Sequence, residues 1–435
     1  MKLYSTKREA AEVTLKEAVF KGLPEDNGLY MLEQIPALPS SFFDKLPNLS
    51  FQEIAFEVAN ALIGRVVPAD ELKVIVEDAI NFPAPAVKVE ENLYSLELFH
   101  GPTLAFKDFG ARFMSRLMGY FLSEGETLHI LVATSGDTGS AVAQGFFNVP
   151  GIKVTILYPK GKVSHIQEQQ LTTNGGNVEA LEIDGTFDDC QRMVKQAFLD
   201  KELSEALNLS SANSINISRL IPQSFYYFNA YAQLKKEGKD KVVFCVPSGN
   251  FGNLCGGLIA HTMGLPVEKF VAATNDNHIV PTYLETGKFE PKPSVSTLSN
   301  AMDVGNPSNF PRMTELFGNS YESVTEHIVG KHYSDEEVKV VINEVQKATG
   351  YVMCPHTAIA YMGARDYLKE SGSDAAGVFL STAHPVKFHD IVSPIIGEEI
   401  DIPARLKEIV DREKQAVNLP ADYEALKAHL MSVTV

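Results

Sequence analysis

Lys107 is the residue whose setting in this sequence most suggests covalent chemistry. It lies between Phe106 and Phe109, after a turn that contains glycine and proline and before a helical pattern. Apolar surroundings destabilise an ammonium group, and the neutral amine that they favour attacks aldehydes to form Schiff bases. A helix lysine that reaches out to water and pairs with Asp108 is the alternative, and composition alone favours it.

Two glycine-containing loops are candidates for anion binding. Residues 135–139 (SGDTG) and residues 249–253 (GNFGN) each follow an apolar run and precede a helical pattern. Backbone N–H groups converge at such a strand-to-helix turn, which attracts phosphate or carboxylate. Neither loop fits the dinucleotide fingerprint or the P-loop pattern. Most glycine turns only connect a strand to a helix, but two such loops in one chain strengthen the prediction.

Two isolated charges stand out from their surroundings. Arg219 is the only charged residue at positions 206–234, and Asp137 is the only one at positions 127–152. Arg219 follows several Ser and Asn residues and suits a bound phosphate or carboxylate, although a structural role in binding backbone carbonyls fits it equally well. Asp137 is either a functional acid or a helix N-cap.

The histidines and cysteines predict neither a metal site nor a disulfide. His384 and His389 are five positions apart, and no H-E-x-x-H motif occurs. The four cysteines, at positions 190, 245, 255 and 354, include no C-x-x-C pair. We therefore expect reduced cysteines and no bound metal.

Charge-poor stretches indicate which elements must position these residues, because buried elements carry few charges. Apolar runs predict parallel strands covered on both faces, at 129–134, 152–158, 242–246, 269–273 and 377–380. Helical patterns separate them, at 111–122, 188–199, 224–236, 334–349 and 358–369. This alternation predicts an α/β fold with open, mostly parallel sheets flanked by helices.

Both ends of the chain differ from this pattern. The first 90 residues contain two helical patterns, at 51–63 and 69–82, joined by segments rich in proline and glycine. We therefore predict a mostly helical N-terminal domain at 1–90, an α/β core at 91–398 and a mixed helical C-terminal appendage at 399–435.

The composition limits the classes of partner. The chain has 435 residues, of which 38 are Lys or Arg and 55 are Asp or Glu, so its net charge is −17. Nucleic acid and anionic membranes bind basic surfaces, and we expect neither as the main partner. No apolar run reaches the roughly 20 residues of a membrane span, and the first residues show no export signal. We therefore expect a cytoplasmic protein with a small-molecule ligand.

Several segments resemble the threonine synthase family, in the order in which that family has them. Residues 100–108 (HGPTLAFKD) resemble its pyridoxal-phosphate lysine motif, residues 135–139 its substrate loop and residues 249–253 its cofactor-phosphate loop. Further matches are YST at 4–6, SANSIN at 211–216, LSNAMD at 298–303, TAHP at 382–385 and LPAD at 419–422. The resemblance covers essentially the whole chain and is to the long bacterial and fungal branch.

The resemblance implies the type II fold of pyridoxal-phosphate enzymes, in which two α/β subdomains enclose the cofactor in a cleft. It implies pyridoxal 5′-phosphate as cofactor and the conversion of O-phospho-L-homoserine and water to L-threonine and phosphate. Lys107 would be the catalytic residue, bound to the cofactor as a Schiff base and then moving protons.

The resemblance also implies two sets of binding residues. Besides Lys107, those for the cofactor are Gly249, Asn250, Phe251, Gly252, Asn253 and Thr382, with the Thr382 hydroxyl at the pyridine nitrogen. Those for the substrate are Thr134, Ser135, Gly136, Asp137 and Thr138 around its carboxylate, and Asn213, Ser214 and Arg219, assisted by Asn250, around its phosphate.

Three positions depart from the family's pattern. Asn27 replaces a glycine in a turn that resembles Asp-Gly-Gly-Leu, and little is lost because asparagine tolerates left-handed geometry. Asp137 stands where the wider superfamily often has asparagine, close to the cofactor's phenolic oxygen and the substrate carboxylate. Negative groups repel at short distance, so we expect Asp137 to be protonated or turned away. Cys354 stands where aspartate often precedes Pro-His-Thr-Ala, and we have no functional account of it.

Rival functions stay open at this point. A phospho-amino-acid lyase or a hydroxy-amino-acid dehydratase uses the same scaffold. Arg219 with Asn213 and Ser214 argues against the dehydratase, since an unphosphorylated substrate needs no second phosphate site. A non-catalytic amino-acid-binding protein is a rival from another class, and it has no use for Lys107. We expect a monomer, with a dimer as the alternative.

Overall fold

The prediction of an α/β protein with mostly parallel sheets is confirmed. The structure, a computed structural model, describes residues 1–432 apart from the side chains of residues 204 and 205. The strands of the described residues are β1 Leu3–Ser5, β2 Tyr30–Leu32, β3 Ala86–Glu90, β4 Leu93–Glu97, β5 Leu128–Ala133, β6 Ile152–Pro159, β7 Val178–Asp184, β8 Leu209–Ser210, β9 Val242–Pro247, β10 Lys269–Thr274, β11 Ile328–His332, β12 Ala376–Ser381 and β13 Val417–Pro420.

Helices connect and cover these strands. Those of the described residues are α1 Leu15–Lys21, α2 Ser40–Lys45, α3 Phe51–Ile63, α4 Ala69–Ala79, α5 Lys107–Phe121, α6 Asp137–Gly145, α7 His165–Thr172, α8 Phe187–Leu199, α9 Lys201–Leu207, α10 Ile217–Leu220, α11 Phe225–Lys236, α12 Gly252–Thr262, α13 Ile279–Thr286, α14 Phe310–Glu315, α15 Tyr321–His327, α16 Asp335–Thr349, α17 Pro355–Ser371, α18 His389–Ile396, α19 Ala404–Val410 and α20 Tyr423–Ser432. Within residues 1–432, no helix is both long and apolar enough to cross a membrane.

Two larger sheets form the framework. One has the strand order β11-β10-β9-β12-β4-β3 and is parallel except for β3, which runs antiparallel to β4. The other has the order β13-β7-β6-β5-β8 and is parallel throughout. The strands β5, β9 and β12 are buried along all six of their residues, as expected for parallel strands covered by helices on both faces.

The apolar runs predict five strands to within one residue, but they do not predict the interior strands β4 and β7 or the edge strands β3, β8, β11 and β13 of the two larger sheets. The edge strands β3, β11 and β13 carry partly exposed residues, so no continuous apolar run marks them. Polar and charged residues interrupt β4 and β7. The strand β13 lies in the segment expected to be a mixed helical appendage, and it pairs in parallel with β7. The division of the chain at residues 90 and 398 stays a prediction.

The helix α5 begins at Lys107, four residues earlier than the pattern predicts. Its first turn is fixed on two sides. Asp108 is buried and accepts hydrogen bonds from the N–H and Oγ1 of Thr103, at 2.8 and 2.7 Å. The ring of Phe109 is fully buried, with its centroid 4.7 Å from that of Phe82 and 5.5 Å from that of Tyr226. The helical N-terminal segment therefore supports the helix that carries Lys107.

Arg312 fastens the N-terminal segment to the loop at 213–216. Its side chain is fully buried. Nε and Nη2 donate to the Tyr30 carbonyl at 3.2 and 2.9 Å. Nη1 donates to the Ser214 carbonyl at 3.2 Å and to Asn309 Oδ1 at 2.9 Å, and Nη2 donates to the Ile215 carbonyl at 2.7 Å. One guanidinium therefore satisfies acceptors from three separate segments.

We predict that R312M lowers the free energy of unfolding by about 3 kcal/mol or more, because it leaves several buried acceptors without a donor. The matched control is R192M, since Arg192 lies on α8 with its side chain about half exposed. We expect that control to change stability by less than about 0.5 kcal/mol. Urea denaturation followed by circular dichroism measures both, and equal effects would contradict the role given to Arg312.

Candidate active site

The ends of β5, β9 and β12 open onto one cleft between the two larger sheets, with a volume of about 1200 Å³. Ligands of open α/β proteins bind at this end of parallel strands. All residues that the sequence analysis assigns to a site line the cleft, except Gly136: they are Lys107, Thr134, Ser135, Asp137, Thr138, Asn213, Ser214, Arg219, Gly249, Asn250, Phe251, Gly252, Asn253 and Thr382. The structure thus brings together segments that are far apart in the chain.

Lys107 faces the cleft as a partly buried amine. Burial is the main reason that the pKa of Lys107 is lowered to about 8: the carboxylate of Asp137 opposes the shift, and the positive charges of Arg219 and Lys387 contribute to it. Its Nζ lies 5.9 Å from the centroid of the Phe106 ring, and no residue among the described ones forms a hydrogen bond with it. Local pairing with Asp108, the alternative from composition, does not occur. Lys107 is therefore available to react.

A short antiparallel bridge between Ala105 and Ala383 sets the position of Lys107. The Phe106 N–H donates to the Thr382 carbonyl at 2.8 Å, and the His384 N–H donates to the Leu104 carbonyl at 3.0 Å. Leu104 itself has a left-handed backbone with φ of 59°, which is uncommon for a branched side chain. We call these contacts the Ala105–Ala383 bridge. It places the start of α5 beside the residue that follows β12.

The loop at 249–253 presents a row of unpaired backbone N–H groups to the cleft. Among the described residues, none accepts a hydrogen bond from the backbone N–H groups of residues 249–253. Phe251 has φ of 60° and ψ of 18° and forms the N-cap of α12, so the loop turns sharply into the helix. Such a run of donors at a helix N-terminus binds an anion.

Side chains in the same loop hold its shape. Asn253 accepts from the Ser248 hydroxyl, and its Nδ2 donates to the Pro247 carbonyl at 2.9 Å. Asn250 uses its Oδ1 to accept from the Ser308 hydroxyl at 2.9 Å. Asn253 therefore contributes to the cleft through its backbone, whereas the Nδ2 group of Asn250 remains without a partner among the described residues.

The loop after β5 offers a second set of donors. Thr134 Oγ1 accepts from the N–H groups of Gly136 and Gly139, at 2.9 and 2.8 Å, which bends the chain around it. Gly136 has φ of 137°, and a Cβ at this position would lie 2.5 Å from the Gln167 side chain. Ser135 and Thr138 line the cleft with hydroxyls that have no partner among the described residues. This loop suits a carboxylate.

Asp137 forms a buried ion pair with Lys387, which favours its ionised form over the protonated form expected from the sequence. That it turns away from a bound cofactor stays a prediction. Asp137 lies on the cleft as the first residue of α6, and Gly136 is the N-cap. Its Oδ1 is 2.7 Å from Lys387 Nζ and accepts from Gln167 Nε2 at 2.9 Å. Burial alone would raise the pKa of Asp137, but the charges of Lys387 and Lys107 hold it below its usual range.

Arg219 is buried and combines a structural and a ligand-facing role. Its Nη1 donates to the Ala212 carbonyl at 2.5 Å, while its Nε is buried without a hydrogen-bond partner among the described residues. Burial lowers the pKa of Arg219 to about 10, so it stays a cation. Asn213 and Ser214 lie beside it on the cleft. A guanidinium that lines the cleft and has an unpaired donor suits an anionic or polar ligand.

Two further cleft residues, His356 and Asn300, lie in segments that the sequence analysis quotes but have no role assigned there. Burial lowers the pKa of His356 to about 4, so its ring is neutral, and its Nε2 accepts from the Ala301 N–H at 3.2 Å. The Oδ1 of Asn300 is buried without a partner among the described residues. Cys354 is buried as the N-cap residue of α17, 3.2 Å from Thr357 Oγ1, and burial raises the pKa of its thiol.

Lys387 also escapes the sequence analysis, although a signal for it exists. It lies between Val386 and Phe388, which is the apolar setting that marks Lys107. The signal is weaker because no glycine turn precedes it. Among the described residues, no group of three or more His, Cys, Asp or Glu side chains is arranged to hold a metal ion.

Comparisons with known proteins agree along the whole chain. Residues 80–382 match the family model of pyridoxal-phosphate dependent enzymes, residues 2–80 that of the threonine synthase N terminus and residues 357–430 that of the threonine synthase C-terminal region. The chain is 46% identical over 432 residues to threonine synthase of Escherichia coli, covering 99% of this chain and 100% of that one. It is 48% identical over 431 residues to threonine synthase of Haemophilus influenzae, with the same coverage.

Solved structures give the same result. The crystal structure of threonine synthase from Escherichia coli superimposes with a TM-score of 0.93 at 46% identity, covering 100% of both chains. A pyridoxal-phosphate-bound threonine synthase from Brucella melitensis superimposes with a TM-score of 0.93 at 35% identity, covering 100% of this chain and 99% of that one. The fold is the type II fold of pyridoxal-phosphate enzymes. By its sequence, its fold and the contents of its cleft, the chain belongs to the threonine synthase family of pyridoxal-phosphate dependent enzymes.

Proposed function

We propose that this chain converts O-phospho-L-homoserine and water to L-threonine and phosphate with pyridoxal 5′-phosphate as cofactor. The observation that carries the proposal is one cleft with two separate anion sites and a lysine of lowered pKa. One anion site is the row of N–H groups at 249–253, and the other contains the buried Arg219. A reaction that uses a phosphorylated cofactor and a phosphorylated substrate needs both.

The residues present fit pyridoxal phosphate. The N–H groups of residues 249–253 would bind its phosphate, Lys107 would hold it covalently, and the Thr382 hydroxyl would meet the ring nitrogen. A hydroxyl partner, unlike an aspartate, leaves that nitrogen largely unprotonated. When bound, the cofactor supplies a ring that spreads the charge left when a proton leaves the carbon next to the amino group.

The loop at 135–138 and the segment around Arg219 would bind the two ends of the substrate. Unpaired N–H and hydroxyl groups of Ser135 and Thr138 suit its carboxylate. Arg219, Asn213 and Ser214, with the free Nδ2 of Asn250, suit its phosphate. The leaving group is therefore held before the bond to it breaks, which favours departure of phosphate over loss of other groups.

Lys107 would move the protons in this reaction. Its lowered pKa gives a larger neutral fraction near neutral pH than an exposed lysine has, so the amine accepts a proton from carbon and later returns it. A proton would also leave Cβ as phosphate leaves Cγ with the electrons of the C–O bond, and Cγ would gain a proton in its place. Water would add its hydroxyl at Cβ, and its remaining proton would go to the released phosphate.

Three properties stay predictions from the sequence: a cytoplasmic location, a monomeric state with a dimer as the alternative, and the absence of a nucleic-acid or membrane partner. The second phosphate site favours the proposed reaction over a hydroxy-amino-acid dehydratase. This site does not distinguish the proposed reaction from that of a phospho-amino-acid lyase. The identity of the products distinguishes the two.

The products of O-phospho-L-homoserine test the proposal directly. We expect the purified protein to release L-threonine and phosphate in equal amounts, measured by amino-acid analysis and a phosphate assay. Borohydride reduction of the cofactor-loaded protein should leave a pyridoxyl group on Lys107, identified by peptide mass, and K107A should lack it. A keto acid as product would indicate the lyase, and a protein that never binds the cofactor would overturn the proposal.

We predict that R219M lowers kcat/KM for O-phospho-L-homoserine by about 100-fold or more, because it removes a buried charged donor from a dianionic ligand. The dissociation constant for pyridoxal phosphate should change by less than about threefold, since the two phosphates have separate sites. The control R192M should leave both quantities unchanged. Loss of cofactor binding with intact use of substrate would mean that the two phosphate sites are exchanged.

We predict that G249A raises the dissociation constant for pyridoxal phosphate at least about tenfold, a cost of about 1.4 kcal/mol. A Cβ on Gly249 would lie 2.8 Å from Met302 Cα and 2.9 Å from Val304 Cγ2, so the loop at 249–253 must shift. The control is G119A on α5, whose Cβ would lie 3.6 Å from Val149 in ordinary contact. Absorbance titration of the apoprotein measures both, and unchanged affinity in G249A would exclude this loop as the cofactor-phosphate site.

A further inference from the structure

Lys387 is a fully buried lysine that connects the segments around the active site. It lies in the 3-10 turn Pro385–Phe388, and its side chain is 0% exposed. Its Nζ is 2.7 Å from Asp137 Oδ1 and donates to the Thr103 carbonyl at 2.9 Å. The Thr103 carbonyl also accepts from Gln170 Nε2, at 3.1 Å. One ammonium group thus contacts both the loop before Lys107 and the first residue of α6.

The Asp137 carboxylate is asymmetric in its contacts. Its Oδ1 is occupied by Lys387 and by Gln167 Nε2, while no described residue forms a hydrogen bond with Oδ2. Asp137 and Lys107 line the same cleft, and Asp137 raises the pKa of Lys107. A buried carboxylate without a partner is strongly unfavourable and takes the nearest cation. If Lys387 were absent, that cation would be Lys107.

We propose that Lys387 is a positioning residue that engages the Asp137 carboxylate, keeps it from pairing with Lys107 and so leaves the Lys107 amine free to react. An ammonium group in a buried ion pair has no lone pair with which to attack a carbonyl and gives up its proton only at high pH. The inference rests on the proposed role of Lys107.

Other charged and titratable groups also face Lys107 and Asp137, and they must stay constant in a test. Arg219 approaches Lys107 from α10 and His356 from α17, and the Cys354 thiol faces Asp137. Asp108, next to Lys107 in the chain, is bound to Thr103. None of these groups changes in the variants below, so a shift in the titration of Lys107 reports on Asp137 and Lys387.

The experiment titrates Lys107 in the full-length apoprotein. The rate at which trinitrobenzenesulfonate modifies Lys107, quantified by peptide mass, is measured from neutral to alkaline pH. The wild-type midpoint should lie at about 8. K387M should raise the midpoint by about one pH unit or more, because Asp137 then pairs with Lys107. D137N should lower it, because Lys387 and Lys107 then face each other without the intervening charge.

The double variant D137N/K387M should return the midpoint to within about half a unit of wild type, because both charges are gone. The matched control is K339M, since Lys339 is an exposed lysine on α16 that is paired with Glu336. It should leave the midpoint unchanged. General damage to the fold would not shift the Lys107 midpoint in opposite directions in K387M and D137N.

An unchanged or lowered midpoint in K387M overturns the proposal, and so does a raised midpoint in D137N. If K387M does not fold, D137N alone tests the proposal, which then requires the midpoint of the Lys107 titration to be lower than in the wild type. The titration uses neither cofactor nor substrate. A failure of the proposed function would therefore appear in the product and borohydride experiments, whereas a failure of this inference would appear only here.

Discussion

The Ala105–Ala383 bridge is the constraint on which the site depends. It joins the start of α5 to the end of β12, so the positions of Lys107 and Thr382 relative to each other are set by backbone hydrogen bonds rather than by side chains. The buried Asp108 carboxylate and the Phe109 ring hold the same helix from the other side. A reactive amine that must meet one ring at one angle needs such support, since small misplacements of reacting groups are costly.

The groups available to bind anions in this molecule depend on local donors and not on its net charge. The chain carries a net charge of −17, yet its cleft offers backbone N–H groups, hydroxyls and one buried guanidinium to anions. Four acids line the cleft, at positions 25, 137, 188 and 303. The one that pairs with a buried cation is Asp137, whose Oδ1 is 2.7 Å from Lys387 Nζ. A negative net charge thus favours solubility without preventing the binding of anions by local donors.

Much of the framework and of the cleft is predictable from the sequence. The buried strands β5, β9 and β12 are continuous apolar runs, and the loops that follow β5 and β9 carry the glycines that let backbone N–H groups converge. Lys387 is less accessible to prediction because its partner Asp137 lies 250 positions away, and no local pattern links them. The strand β13 is equally hidden: its partly exposed residues resemble loop, and only the distant strand β7 makes them a strand.

The pairing of β13 with β7 has a consequence during synthesis of the chain, because the two strands are far apart in sequence. Val417 pairs with Leu181, so β7 is a sheet edge until the ribosome has added more than 200 further residues. At about 5–20 residues per second, the edge stays open for roughly 10 to 50 s. Open edges are templates for strands of other chains. Strand β13 therefore covers the edge of β7, and we expect a chain truncated before β13 to aggregate during expression.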